Sequence, residues 1–283
     1  METGGIAAAR WLPQGTFAGQ VAVVTGGGTG LGLEISRGLA ALGATVVIAS
    51  RNAGHHEAFC AEAVEREWRA EAIVLDVREA QRVREAAEGI LERHGRVDIL
   101  VNNAAGNFVC PAERLSTNAW RSVLGIVLDG TFHCSKYFGR AMLAAGSGVM
   151  LNVVATYAWT GMPGVVHSAS AKAGVLAMTK TLAAEWAGRG VRVNAIAPGP
   201  FQTEGAARNL WPDPETERRM LAQIPQGRFI DRDEVAAHCL YLLSPACESV
   251  TGECLVVDGG LSLAAGRMWA PGERVQRRPG TKS

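Results

Sequence analysis

Apolar runs at Val21–Val24, Thr45–Ala49, Ala72–Leu75, Val97–Val101, Val149–Val154, Val191–Ala197 and Cys254–Val257 read as seven strands. Between them lie stretches with helical spacing: from the glycine turn to about Leu42, Gly54 to Trp68, Glu79 to His94, Thr117 to Ala144, Ser168 to Ala187 and Asp231 to Leu243. Seven strands alternating with helices predict an α/β fold, a single Rossmann-type doubly wound parallel sheet flanked by helices. Gly125, Gly130 and Gly139 inside the long fourth helix predict close packing against a neighbour.

The pattern divides the chain into an N-terminal extension (1–18), one domain (19–263) and a Gly, Arg and Pro tail (264–283). Inside the domain, 201–228 turns polar and Pro-rich, with a short helix near Glu215–Leu221. A loop that long in a compact domain is expected to be a lid or binding loop.

Composition narrows this picture without redirecting it. The 283 residues suit one large domain, and 48% hydrophobic with 19% charged residues supplies a core. A formal net charge of +1 gives no field suited to nucleic acid or anionic membrane. Six cysteines, scattered without a CxxC pair, read as free thiols with no metal site. No apolar run reaches the ~18 residues of a membrane span, and neither end carries a targeting signal, so a cytoplasmic protein is expected.

Candidate chemistry gathers at the ends of the strands. After the first strand, Thr25-Gly26-Gly27-Gly28-Thr29-Gly30-Leu31-Gly32 opens a helix, an order that lets backbone N–H groups approach a pyrophosphate. The second strand ends in Ser50-Arg51, a hydroxyl and a guanidinium that suit the 2′-phosphate of NADP better than the bare ribose of NAD. Asp76 and Val77 close the third strand beside the adenine position. The fourth opens into Asn102-Asn103-Ala104-Ala105-Gly106-Asn107-Phe108: the first two amides are as well explained by backbone bonding as by a ligand, and Asn107 is freer to face a substrate. After the fifth strand, Leu151–Lys172 carries a phenol, Tyr157, and an ammonium, Lys172, fifteen residues apart. His167 lacks a nameable acidic partner and reads as packing. Trp159 and Met162 fit either an acyl pocket or packing.

Together the 25–32 turn, Asn102–Gly106, Lys172 in its helix and Pro198-Gly199-Pro200 resemble the short-chain dehydrogenase/reductase family over about residues 19–261. The family's usual asparagine, serine and tyrosine positions here hold Val127, Ala155 and Ser168, leaving only the lysine. These departures are similar to those of the family's 2,4-dienoyl-CoA reductase branch, matched at 102–108, at Tyr157 within 156–161 and at 168–175. The resemblance implies NADPH-dependent reduction of 2,4-dienoyl-CoA to 3-enoyl-CoA in the β-oxidation of unsaturated fatty acids, by a homotetramer. It implies that Tyr157 and Asn107 bond the thioester oxygen, that Lys172 bonds the nicotinamide ribose, and that Ser168 supports the site. The cofactor would lie along Gly26–Leu31, Ser50, Arg51, Asp76, Val77, Asn103, Ala104, Lys172, Pro198–Phe201 and Thr203, and acyl-CoA along Arg78, Phe108, Ser116 and Arg208. The open alternatives are a trans-2-enoyl-CoA reductase, a reductase of another conjugated carbonyl, and an NADP-binding regulatory subunit without turnover.

Overall fold

In the computed structural model, which describes residues 6–201 and 213–264, seven parallel strands form one sheet in the order β3-β2-β1-β4-β5-β6-β7. They are β1 (Val21–Thr25), β2 (Thr45–Ser50), β3 (Ala70–Val74), β4 (Ile99–Asn102), β5 (Gly148–Val153), β6 (Val191–Pro198) and β7 (Cys254–Val257). The helices are α1 (Gly30–Ala41), α2 (Glu57–Glu65), α3 (Ala80–His94), α4 (Thr117–Leu124), α5 (Gly130–Ala145), α6 (Tyr157–Thr160), α7 (Val166–Trp186), α8 (Pro214–Gln223) and α9 (Arg232–Leu243). The chain winds outward from β1 to β3, then returns to lay β4 against β1, so a crevice opens at the carboxyl ends of β1 and β4.

The central strands are buried on both faces because helices cover both. One apolar layer joins Ile35 and Leu39 of α1 and Leu240 of α9 to Ile48 and Val101, and the other joins Ile90, Phe138 and Ala183 to Val23 and Leu100. Residues 6–18, read from sequence as an extension, close the first layer: Ala8, Ala9 and Phe17 are buried in it. Asp231 and Glu234 form a reciprocal capping box at the start of α9, satisfying backbone donors that the helix itself leaves open. Among the described residues no helix is long and apolar enough to cross a membrane.

Several expected boundaries move. β3 begins two residues before Ala72 and ends before Leu75, because Val46–Ser50 set its register. β4 starts at Ile99 rather than Val97, and just before it Asp98 joins its neighbours, accepting from Val21 N–H through its carboxylate and bonding Val21 and Val149 through its backbone. α2 is shorter than Gly54–Trp68, because Asn52–His56 forms a separate turn with Asn52 as its cap. The long fourth helix is interrupted by a π-helical turn at Gly125–Asp129. Gly130 follows that turn, and a Cβ there would meet Val77 at 2.5 Å; at Gly139 one would meet Trp186 at 2.9 Å. The close packing expected at these two glycines is therefore present. The short helix expected near Glu215–Leu221 runs Pro214–Gln223 with Asp213 as its cap. Residues 202–212 of the polar, Pro-rich stretch and 265–283 of the tail lie outside the described residues, and with them Thr203 and Arg208.

Candidate active site

Two joined clefts occupy the carboxyl edge of the sheet, with Asn103 and Ala105 lining both. The first, of about 490 Å³, is walled by the glycine turn, the end of β2 and Leu75–Val77. Here Gly26 (φ +64°) and Gly30 (φ +54°) take left-handed backbone that a side chain would strain. A Cβ on Gly32 would run into the Gly26 carbonyl and Asn103 Nδ2, and one on Gly28 into the His55 carbonyl. Asn103 fastens the turn to the sheet, donating from Nδ2 to Thr25 O (3.0 Å) and Gly26 O (3.2 Å). Thr29 makes no side-chain cap on α1, so the first N–H groups of that helix remain available to an anion. Backbone donors, a positive helix end and no obstructing side chain fit the pyrophosphate of a dinucleotide.

The rest of this cleft partly revises the sequence reading. Ser50 and Arg51 stand at its wall as expected. Asp76 lies in it too, but its carboxylate is gripped by Arg78, with Nη2 2.5 Å from Oδ2 and Nε 3.0 Å from both oxygens. That hydrogen bond is the main cause of the carboxyl being held below its ordinary pKa, with burial opposing it and Arg51 adding a smaller pull the same way. Arg78, expected on the CoA side, pairs here with Asp76, and its stem rests 3.7 Å from the Cβ position of Gly125. Ser116, expected on the same side, accepts from Ala119 N–H at 3.2 Å through its Oγ and caps α4.

The second cleft, of about 420 Å³, is mostly apolar, lined by Val109, Met162, Pro163, Val165, Met220 and Leu261. Its polar floor is Asn107, Tyr157 and Lys172, and Pro198–Phe201 close the side from β6. Tyr157 begins the four-residue α6, not a loop, which turns its ring back toward α7. Its Oη lies 3.1 Å from Ser168 Oγ. Burial raises the phenol's pKa, with the Ser168 bond acting against it, so the group stays a neutral donor at physiological pH. Lys172, one helical turn beyond Ser168, is buried and donates to the Val153 carbonyl. Burial alone pushes its pKa down to about 8.

Asn107 Oδ1 accepts from Phe108 N–H at 2.9 Å, which fixes the amide and leaves Nδ2 as its donor. Phe108, expected beside acyl-CoA, instead packs edge-on to His167, with ring centroids 4.4 Å apart and planes at 69°. His167 is fully buried with no well-formed hydrogen bond on either ring nitrogen; burial lowers its pKa, offset in part by the Val165 backbone, and it packs as the sequence suggested. Asn102, the other amide left open, is bonded inside the protein to Ser135 Oγ (3.1 Å) and Asn152 Oδ1 (2.8 Å). Met162 lines the cleft, and Trp159 is half-exposed and not among the cleft's lining residues. Sequence reasoning missed Asn52, His55 and Ile126 in the first cleft and Val109, Met220 and Leu261 in the second. None sits in a motif; the turn after β2 brings in Asn52 and His55, the π-helical turn Ile126, and the loop after β4, α8 and the turn at Leu261–Leu263 bring in Val109, Met220 and Leu261.

The family model described as enoyl-(acyl carrier protein) reductase matches residues 26–262. The Bacillus subtilis protein named probable 2,4-dienoyl-CoA reductase, (2E)-enoyl-CoA-producing, is 41% identical over 240 residues, covering 84% of this chain and 94% of that one. The peroxisomal 2,4-dienoyl-CoA reductase of Danio rerio, (3E)-enoyl-CoA-producing, is 40% identical over 247 residues, covering 87% and 82%. Among solved structures, gluconate 5-dehydrogenase from Burkholderia cenocepacia in complex with NADP and tartrate superposes with a TM-score of 0.83 at 33% identity, covering 91% of this chain and 99% of that one.

Proposed function

Because the chain belongs to the short-chain dehydrogenase/reductase family, we propose that it is an NADPH-dependent 2,4-dienoyl-CoA reductase that yields 3-enoyl-CoA in the oxidation of unsaturated acyl chains, the product in the name of the Danio rerio relative. The observation that carries this reading is the hydrogen bond between the Tyr157 phenol and Ser168, in a cleft that also holds Asn107 and Lys172. The position from which the family usually donates a proton is a serine, and the phenol reaches the same cleft from α6 instead. A phenol and an amide lining one cleft suit an oxygen that gains charge by conjugation.

The dinucleotide held by the glycine turn, Ser50, Arg51 and Asn103 would supply a hydride to the δ-carbon of the diene. The chain's own groups manage the charge that follows. Tyr157 Oη and Asn107 Nδ2 donate to the thioester oxygen, where the negative charge of the extended enolate collects. Lys172 holds the ribose beside them. Protonation at the α-carbon, by Tyr157 or a water bonded to it, completes the addition and leaves the double bond between the β- and γ-carbons. Ser168, donating to Tyr157 Oη, makes the phenol a better acid in both roles. The apolar wall from Val109 to Leu261 takes the acyl chain. A cytoplasmic homotetramer accompanies this reading, and Phe132, half-exposed on α5, suits a subunit contact.

Following NADPH consumption with 2,4-dienoyl-CoA, 2-enoyl-CoA and 3-ketoacyl-CoA side by side tests the assignment. Dienoyl-CoA should be turned over fastest; preference for 2-enoyl-CoA would favour the sister reductase, and binding of NADPH without turnover would indicate a regulatory subunit. Arg51→Ala should weaken NADPH binding by about tenfold to a hundredfold while leaving NADH within about twofold, as expected for a lost charge-assisted phosphate contact. Equal losses for both cofactors, read by fluorescence titration, would remove Arg51 from phosphate recognition. Ser168→Ala removes one neutral hydrogen bond from the phenol and should lower kcat by only about threefold to tenfold. A larger fall than that caused by removing the phenol itself would make Ser168 the donor.

A further inference from the structure

At the corner where β2 leaves the sheet, Ser50 Oγ lies 2.7 Å from Nε2 of His56 and 3.1 Å from the Asn52 carbonyl. Ser50 and Asn52 line the first cleft together with Arg51 and His55, whereas His56 is buried behind them with its ring turned back onto the serine. We infer that His56 is a positioning residue for the 2′-phosphate of the cofactor, orienting the Ser50 hydroxyl toward the cleft and taking up a proton when that phosphate binds. The inference rests on the NADP reading above and goes beyond it, since His56 itself touches no cofactor.

A serine hydroxyl has one proton to give. That proton has two acceptors in reach, the Asn52 carbonyl and an unprotonated His56 Nε2. A phosphate can only accept, so Ser50 bonds it by releasing both, and its lone pairs then face His56 Nε2. An unprotonated Nε2 would repel them, whereas an Nε2–H supports them. The imidazolium guarantees that proton, while the neutral ring provides it in one tautomer only. The nearby dianion also favours the charged ring directly. The other charged groups at this corner are Arg51 at the end of β2, His55 on the same turn, Glu57 and the Cys60 thiol on α2, and the Asp76–Arg78 pair across the cleft. Arg51 and His55 oppose a positive His56, and Asp76 is already neutralised by Arg78, so the incoming phosphate is the new negative charge that tips the balance.

Burial, and secondarily His55, hold the free ring below its ordinary value of 6.5. A bound phosphate raises it. The sign follows: the extra affinity is full below the free-state pKa and is lost as pH rises through the higher, bound-state pKa.

The test is calorimetric titration of the full chain with adenosine 2′,5′-bisphosphate and with 5′-AMP, fragments that report binding without turnover. Between about pH 6 and about pH 8, the parent should lose about fivefold to tenfold more bisphosphate affinity than His56→Gln, whose amide keeps a donor for Ser50 but cannot titrate. Ionisation of the phosphate itself, near pH ~6, is common to both proteins and cancels in the comparison. His56→Phe should bind the bisphosphate more weakly at both pH values, and 5′-AMP should distinguish none of the three. Parallel pH profiles for the parent and His56→Gln would overturn the role of His56 while leaving the cofactor reading intact. No preference for the bisphosphate over 5′-AMP would overturn both.

Discussion

Replacing Tyr157 by Phe should lower kcat on a 2,4-dienoyl-CoA by about 10²–10³, the cost of deleting one preorganised donor to a developing oxyanion, and leave the NADPH dissociation constant within about twofold. The substitution removes one oxygen and keeps the ring that α6 lays against α7, so the fold has no reason to change. Ser168 loses its phenol partner but is a hydroxyl that can rotate to another acceptor. The loss should therefore fall on the chemical step, with KM little altered, because the charge that Tyr157 meets is small in the bound thioester and large only after the hydride has moved. Burial raises the phenol's pKa, so its donor role persists through the neutral range and is lost only in strong alkali. Steady-state rates on dienoyl-CoA, with NADPH binding followed by fluorescence, decide the matter. A kcat within about tenfold of the parent would take the proton-donor role away from Tyr157.

The seven parallel strands and the glycine turn were legible because both rest on backbone. Buried strands must be apolar, and the turn from Thr25 to Gly32 must be glycine where a Cβ would strike Gly26 O or the His55 carbonyl. Tyr157, Lys172 and Asn107 were legible as members of one cleft because each closes or follows a strand at the same edge of the sheet. The side-chain partners of the residues expected on the CoA side were not. Arg78 reads as a surface charge, yet it pairs with Asp76, two residues earlier. Phe108 is singled out only by the resemblance, yet it packs edge-on to His167, fifty-nine residues later. The role of His56 also escaped, because it depends on the turn at Asn52–His55 bringing the ring back to Ser50. In each case the deciding partner is set by side-chain geometry that spacing does not encode. The π-helical turn at Gly125–Asp129 belongs with these, since a pattern of helical spacing continues through it undisturbed.

Lys172→Met should separate stability from activity. In the native chain the ammonium is buried and, among the described residues, hydrogen-bonds the Val153 carbonyl alone, and burial drives its pKa from 10.5 down to about 8. Below about pH 8 the group is charged both folded and unfolded, so the full cost of burying that charge bears on the native state. As pH rises from about 8 to 10.5 the folded chain releases its proton first and stability recovers; above 10.5 both states are neutral and the cost is gone. The interval corresponds to about 3 kcal/mol. Methionine has nearly the same length and no charge, so it removes that cost, while leaving the Val153 carbonyl without its donor returns about 1 kcal/mol. At pH ~7 the variant should thus be more stable by about 2 kcal/mol, read as a higher midpoint in urea, and by pH ~10.5 it should be no more stable than the parent. Activity should move the other way, with kcat/KM on dienoyl-CoA falling by about 10² as the hydrogen bonds of a charged group to the cofactor ribose are lost. Any alkaline limb near pH 8 in the parent's rate profile should vanish with it, since the phenol of Tyr157 titrates higher. A variant that unfolds earlier than the parent at neutral pH would mean that the lysine supports the fold, and its place in the cleft would then need no chemistry to explain it.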